Sequence, residues 1–194
     1  MKQSITHFQH AIELDPLYAE AYSGLADAYT ALGYTSYWAP KDSFPKAREF
    51  ANKALQIDSS LAEARASLAY VKLYYDWDWK SAEEELQRAI DVNPNYATAH
   101  HWYSVLLTAR GSHDKALSEI GRAHELDPLS VPINTDIGFE LYYARRYEEA
   151  ISDLRSCCRR ALNFPWHICG WVVRTNRREC IPKPFRNSNR QERL

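Results

Sequence analysis

The chain has 194 residues, of which 45% are hydrophobic and 25% are charged, and its formal net charge is −1. A chain of this size can bury a core of its own, because a domain of about 150 residues buries roughly 68–70% of its unfolded surface. The longest uncharged apolar run near the C-terminus, 166–173, is far shorter than the ~20 residues that cross a bilayer. The N-terminus also lacks the long apolar stretch of a signal peptide. We therefore expect a cytoplasmic protein without a membrane segment.

The small net charge conceals two parts of opposite sign. Residues 1–154 hold 14 Lys and Arg against 23 Asp and Glu, whereas residues 155–194 hold 10 against 2. All four cysteines also lie in the basic part, at positions 157, 158, 169 and 180. We predict one domain over 1–156 and a basic tail, rich in Cys and Arg, over 157–194.

A unit of about 34 residues recurs along the acidic part. Its clearest copy places apolar and small residues on two helical faces, with Gly111 between the helices and Pro128 at the end. Gly and Pro are typical helix-stop residues, and a period of 20–50 residues indicates a stacked array. The predicted elements, in chain order, are a half repeat at 2–18 and repeats at 19–61, 62–96, 97–130 and 131–164, the last with a degenerate end.

Three of these elements depart from the regular unit. The half repeat supplies only a second helix, so we expect the sequence to begin inside a longer array. Repeat 19–61 is nine residues too long, and the excess falls in a corner that contains two prolines. Repeat 62–96 has one extra residue. We expect Trp77 and Trp79 to cover the end of its helix pair, and the glutamates at 83–85 to favour the helix dipole in a first turn.

Small residues occupy two positions of each repeat, where antiparallel helices must approach closely. They are Ala26, Ala69, Ser104 and Gly138 at position 8, and Ala47, Ala82, Ala116 and Ala150 at position 20. Large residues at positions 4, 7, 11 and 24 fill the remaining space. We predict an all-α fold, an antiparallel helix-pair solenoid of about four and a half repeats, with turns near Gly33, residues 75–77, Gly111 and Arg145.

This combination of small and large positions resembles the tetratricopeptide repeat (TPR), over residues 2 to about 156. Three segments, 24–47, 72–103 and 125–151, are similar to TPR regions of bacterial signalling proteins. In those proteins the array often follows a winged-helix DNA-binding domain or a Ser/Thr kinase domain. The resemblance implies a TPR superhelix and a non-enzymatic interaction scaffold, expected to be a fragment of a larger signalling or regulatory protein.

In this family the first helices of successive repeats line a concave groove. Mapped onto this chain, the groove positions are acidic near the N-terminal end and aromatic further on. None of them carries Lys, Arg or Asn, so a clamp for a C-terminal carboxylate is not expected. We expect a protein or peptide partner with an extended, apolar or basic segment. The candidate groove residues are Glu20, Asp27, Glu63, Tyr70, Tyr74, His101, Phe139, Tyr142 and Tyr143. In an alternative interpretation, Tyr74, Tyr142 and Tyr143 pack in the core between repeats.

No catalytic residue, metal site or cofactor is predicted. His100 and His101 are adjacent, so on a helix they point about 100° apart and cannot chelate one metal together. The sequence has no phosphate-binding glycine loop and no nucleophile–base arrangement with a supporting context. In the tail, His167, Cys169 and Cys180 with one further cysteine could supply zinc ligands, but the CxxC spacing of structural zinc sites is absent.

The tail allows two further hypotheses. Its arginines could contact nucleic acid electrostatically, which is the alternative function. We favour a frameshift, under which the tail is not native and is disordered or poorly packed, so that nucleic-acid binding is not expected. Codons can be chosen for residues 165–188 such that the same DNA, read from the third base, encodes MAHLWLGRAYEQKGMYSEAISEL, a repeat-like helix pair.

Overall fold

The computed structural model describes residues 2–34 and 37–160. These residues form helices α1 (Lys2–Leu14), α2 (Ala19–Tyr34), α3 (Pro40–Ile57), α4 (Ala62–Val71), α5 (Trp79–Val92), α6 (Ala97–Ala109), α7 (His113–Leu126), α8 (Val131–Tyr143) and α9 (Tyr147–Arg160). A short π-helical segment, Lys72–Asp76, continues α4. Among the described residues, no helix has the length and apolar character needed to cross a membrane.

The helices stack as antiparallel pairs in chain order. Each helix packs against the next one, and the first helices of successive pairs, α2, α4, α6 and α8, also contact one another directly. These four helices therefore form an inner layer, and α3, α5, α7 and α9 form an outer layer. The predicted all-α helix-pair solenoid is confirmed.

Small residues hold the two helices of each pair together at the predicted positions. Ala47, Ala69, Ala82, Ser104 and Ala116 are completely buried. Gly138 lies so close to α9 that a Cβ atom there would overlap the side chain of Leu154, which is itself fully buried. The short side chains let the backbones approach, and tight interior packing then makes each added methyl group matter.

The turns inside three pairs use a left-handed backbone conformation. Gly111 has φ 78°, Trp77 has φ 59° and Arg145 has φ 62°. Only Gly111 adopts this conformation without steric cost. In the pair that carries one extra residue, the π-helical segment Lys72–Asp76 accommodates it immediately before Trp77, as π-bulges commonly do within helices.

The helix end expected at Gly33 lies one residue further on, because α2 runs to Tyr34. A Cβ at Gly33 would lie 2.6 Å from Ser43 Oγ and 2.9 Å from Phe44 Cζ. Glycine is therefore required here for the close approach of α3.

Two expectations for the corner between α4 and α5 are also corrected. Trp79 packs against Ala69, Leu73 and Leu86, whereas Trp77 is 73% exposed and lies outside the core. The acidic run lies in the second turn of α5 and not in the first. Its last member, Glu85, is buried, where it pairs with Arg65 and Lys72 at 3.1 Å each.

The α9 backbone is helical through Arg160. The zinc, nucleic-acid and frameshift hypotheses for 157–194 fall on side chains and residues outside the described part of the chain. The structure tests none of these three hypotheses, and the frameshift stays a prediction.

Two glycine substitutions test the close approach of α8 and α9. Gly138→Ala forces the Leu154 side chain out of its place, and overpacking of this kind costs roughly 1–3 kcal/mol. Gly121→Ala is the matched control, because nothing lies within 4 Å of the added Cβ, and Ala gains roughly 0.5–1 kcal/mol in a helix. The midpoint of thermal unfolding should fall for the first variant and rise for the second. Equal midpoints would contradict the packing.

Candidate functional site

A groove of about 950 Å³ crosses the inner layer of the array. It exists because α2, α4, α6 and α8 stack side by side and present one face each to the concave side. The loop before α8 closes one edge with Asp127 and Ser130. The groove walls are rich in aromatic rings, which come from Tyr34, Tyr70, Tyr96, Trp102 and Phe139.

The charged residues that line the groove are all acidic apart from the titratable His101. The carboxylates belong to Asp27, Asp127 and Asp136, and no Lys or Arg is among the lining residues that the structure describes. The groove therefore combines apolar ring faces with negative charge.

Four of the nine predicted groove residues lie in the lining. These are Asp27, Tyr70, His101 and Phe139. Glu20 and Glu63 lie outside the lining, although the Glu63 charge acts on Asp27. The remaining three predicted residues, Tyr74, Tyr142 and Tyr143, are also outside it.

Of the three outlying tyrosines, Tyr74 packs on a residue of the groove wall, and Tyr142 and Tyr143 pack on each other. The Tyr74 ring lies 4.5 Å from that of Tyr70. Tyr142 packs against Tyr143 at 5.6 Å and against Tyr147 at 5.5 Å. Tyr143 is 57% exposed, so it is not a core residue. The alternative core interpretation therefore does not hold for Tyr143.

Tyr70 is part of the groove wall and also part of the protein core. Its ring contacts Trp102 at 4.6 Å, Tyr34 at 6.1 Å and Phe44 at 6.1 Å between centroids. Only 1% of the residue is exposed. Tyr70 therefore holds neighbouring rings in place and offers a ligand little free surface of its own.

Position 6 of each repeat contributes to the groove and was not among the predicted positions. Ser67, Trp102 and Asp136 occupy it in successive repeats, and all three line the groove. The signal was present in the sequence, because positions 2, 6, 9 and 13 follow the spacing of one helical stripe. Each position-6 side chain also reaches the preceding helix: Ser67 contacts Asp27, Trp102 contacts Tyr70, and Asp136 contacts His101.

His101 fixes the carboxylate of Asp136. Its Nε2 atom lies 2.6 Å from Asp136 Oδ2, and its ring is stacked on Trp102 with centroids 4.4 Å apart. His100 points elsewhere, with Nδ1 2.6 Å from Glu119 and Nε2 3.1 Å from the Pro94 carbonyl. No group of three or more His, Cys, Asp or Glu side chains with metal-binding geometry occurs in the described residues.

Asp27 is the most perturbed carboxylate of the lining. Burial among the groove walls raises its pKa to about 6, a hydrogen bond donated by Ser67 lowers it, and the Glu63 charge raises it further. The side chain is nevertheless reached by solvent from the groove. No Lys or Arg is among the described residues that line the groove around Asp27.

Glu140 lies beneath the groove, between α6 and α8. Burial raises its pKa to about 8, Ser104 hydrogen bonding lowers it, and the charge of Asp136 raises it. Ser104 Oγ is 2.8 Å from the His101 carbonyl and 3.2 Å from Glu140 Oε1. A hydroxyl has one proton to donate. If Ser104 donates to the carbonyl, a protonated Glu140 can donate to Ser104.

The comparisons agree with this architecture. Residues 73–130 match the model of the tetratricopeptide repeat. A search of curated proteins returned no match.

Several solved structures share the fold. TTC0263, a thermophilic TPR protein of Thermus thermophilus, is 18% identical with a TM-score of 0.71, over 89% of this chain and 88% of that one. YrrB, described as a TPR protein with an unusual peptide-binding site, is 22% identical with a TM-score of 0.57, and the match covers 90% of this chain and 82% of YrrB. PilF of Pseudomonas aeruginosa is 22% identical with a TM-score of 0.62, and the match covers 81% of this chain and 71% of PilF. None of these three structures is described as a signalling regulator, so they give no support to the expected place in one.

The buried Glu140 predicts a pH-dependent stability. Its folded pKa of about 8 exceeds the unfolded value of 4.5, so the folded state binds more protons between these values. The stabilisation is complete below about pH 4.5 and is lost as the pH rises through 8. Glu140→Gln cannot titrate, so its unfolding free energy relative to the wild type should increase between pH 5 and pH 9, by on the order of 1–3 kcal/mol.

Urea unfolding across this pH range measures the effect. Glu149→Gln is the control, because Glu149 is exposed and its pKa is lowered by Arg146. Its difference from the wild type should stay constant between pH 6 and pH 9. If the Glu140→Gln difference is equally constant, Glu140 is ionised in the folded protein.

Proposed function

We propose that the concave groove binds an extended segment of a partner protein, on the premise that residues 73–130 match the tetratricopeptide repeat and that the fold is a TPR superhelix. The observation that carries the proposal is the composition of the groove. Aromatic rings and three aspartates line a concave groove of about 950 Å³, without Lys or Arg among the described lining residues.

The chemistry of the walls selects the kind of segment. Tyr34, Trp102 and Phe139 offer ring faces on which apolar side chains pack, and aromatic residues are enriched at protein interfaces for this reason. The carboxylates favour a partner of opposite charge, since complementary charge gives specificity and a faster association rate. The fitting partner is an extended peptide segment with apolar and basic side chains.

YrrB provides a parallel for peptide binding on this fold, since its structure is described as containing a peptide-binding site. TPR proteins generally serve as scaffolds for proteins and peptides, and we assign the same non-enzymatic role to this chain. A place in a larger bacterial signalling or regulatory protein in the cytoplasm rests on the sequence resemblance of three segments alone.

A nucleic-acid partner fits the groove poorly. Phosphate groups are negative and their binding depends on Lys and Arg, whereas the charged lining side chains are aspartates. The nucleic-acid hypothesis therefore depends on the tail alone, outside the described residues.

A substitution that fills the groove tests the proposal. Thr98 lies in the lining on α6, so Thr98→Arg adds bulk and a positive charge that pairs with the aspartates. Binders are first selected from a random 12-residue peptide library displayed on phage. Their affinity for Thr98→Arg should fall about tenfold or more, because the side chain occupies the site and repels basic segments.

Ser118→Arg is the matched control. Ser118 is exposed on the outer helix α7, so the same charge and bulk are added away from the groove. Peptide binding to this variant, measured by isothermal titration calorimetry, should equal that of the wild type. Binders that tolerate Thr98→Arg but not Ser118→Arg would place the site on the outer layer.

A further inference from the structure

We infer that the groove contains a subsite for an arginine side chain of the bound segment, formed by Asp136, Trp102 and the hydroxyl groups of Tyr34 and Tyr70. This inference rests on the proposed peptide-binding function and deepens it. All four residues line the same groove, and they come from four different inner-layer helices, α2, α4, α6 and α8.

The rings form a cluster with edge-to-face contacts. Tyr70 meets Trp102 at 4.6 Å and 70°, Tyr34 meets Trp102 at 6.3 Å and 66°, and Tyr34 meets Tyr70 at 6.1 Å and 87°. Tyr34 is 60% exposed and Trp102 is half-buried, so both retain accessible ring surface. A cation that lies over such a face is attracted by the ring quadrupole.

Asp136 brings a negative charge to the same cluster, and its orientation is fixed by His101 at 2.6 Å. Burial is the main cause of the raised pKa of Tyr34, and the Asp136 charge adds to it. The Asp136 charge also contributes to the raised pKa of Tyr70, after burial, Tyr74 and Tyr34. The carboxylate is therefore near enough for its charge to affect both tyrosine hydroxyl groups.

Tyr70 offers its hydroxyl oxygen to the same subsite. The residue as a whole is 1% exposed and lines the groove. Its hydroxyl oxygen is not among the buried side-chain atoms that lack a partner, so this atom reaches the groove. A donor from the bound segment can hydrogen-bond to it there.

A second aromatic cluster of the same chain differs from the groove because a lysine of the chain lies over its rings. At the corner between α2 and α3, Lys46 Nζ lies 5.4 Å from the centroids of both Tyr29 and Trp38. There the chain supplies its own cation. In the groove, the described lining residues include no Lys or Arg, and an arginine of the bound segment would supply the cation.

Guanidinium fits this subsite better than ammonium. Its planar group can lie on a ring face while its N–H groups donate in a fixed fork to a carboxylate and to neighbouring oxygens. Asp136 and the Tyr70 hydroxyl accept these hydrogen bonds, and Trp102 or Tyr34 contacts the plane. An ammonium group of lysine makes the charge contact but not the planar one.

The test uses the full chain and the peptides selected from the 12-residue library. The binders should share an arginine at one position. Replacing it with citrulline, which keeps the shape but loses the charge, should weaken binding to the wild type about tenfold or more. Replacement with lysine should weaken binding less than citrulline does, but measurably.

Asp136→Asn removes the charge while keeping a side chain that can hydrogen-bond to His101. With this variant, the arginine and citrulline peptides should bind within about threefold of each other, because the charge coupling is gone. Asp91→Asn is the control: Asp91 is exposed on α5, and the arginine preference should be unchanged. Tyr34→Leu is a second variant at an exposed position and should reduce the preference by loss of the ring.

The outcomes separate the subsite from the groove. Suppose that Thr98→Arg weakens the binders but that they share no arginine, or that their citrulline or lysine forms bind equally well. This result would overturn the arginine subsite and leave peptide binding intact. An arginine preference that persists in Asp136→Asn would also overturn it. A library without groove binders would overturn the proposed function and the subsite together.

Discussion

The close approach of paired helices at small residues is the constraint on which the rest of the structure depends. Ala69 packs in one cluster with Ala82 and Leu86 of its partner helix α5, and Gly138 lies against Leu154 of its partner helix α9. Because these contacts take up the face that each first helix turns toward its partner, the opposite face remains available. Stacking of the four first helices then produces a continuous concave surface.

The positions of the large side chains depend on which face of each first helix the pair contact occupies. With small residues at the pair contact, rings such as Trp102 and Phe139 are directed to the groove or to its edge. Tyr70 connects the two regions, since it contacts Phe44 in the core and Trp102 in the groove wall. The polar contacts follow the same stacking: Ser67 contacts Asp27 and Asp136 contacts His101, each across neighbouring inner helices. The side chains that shape the groove therefore also join its helices.

Much of the fold could be predicted because it depends on local spacing. The register of Ala26, Ala69, Ser104 and Gly138 was sufficient to place the helix pairs, since a close helix contact excludes larger residues. The end of α2 was harder, because a glycine serves equally as a helix stop and as a site of close approach. Gly33 serves the second purpose. The π-helical segment before Trp77 could not be read from the extra residue alone, because an insertion can equally lengthen a loop.

The groove was predicted less completely than the fold. Position numbers carried over from a family identify a face, but they do not show which side chains are covered by their neighbours. Tyr70 and Tyr74 illustrate this, since ring contacts across three helices decide their exposure. The Glu85 pair with Arg65 and Lys72 was missed for a similar reason. Its partners lie on a preceding element, and the run of glutamates was interpreted only through the helix dipole.

The most direct test of the account is a ¹H–¹⁵N spectrum of the tryptophan indole groups during titration with a selected peptide. Trp102 lies in the groove, whereas Trp38 and Trp77 lie at corners outside its lining. Substitution of each tryptophan by phenylalanine assigns the signals. We expect the Trp102 indole signal to shift with peptide concentration while those of Trp38 and Trp77 stay in place. A shift of Trp38 or Trp77 with an unchanged Trp102 would contradict binding in the concave groove.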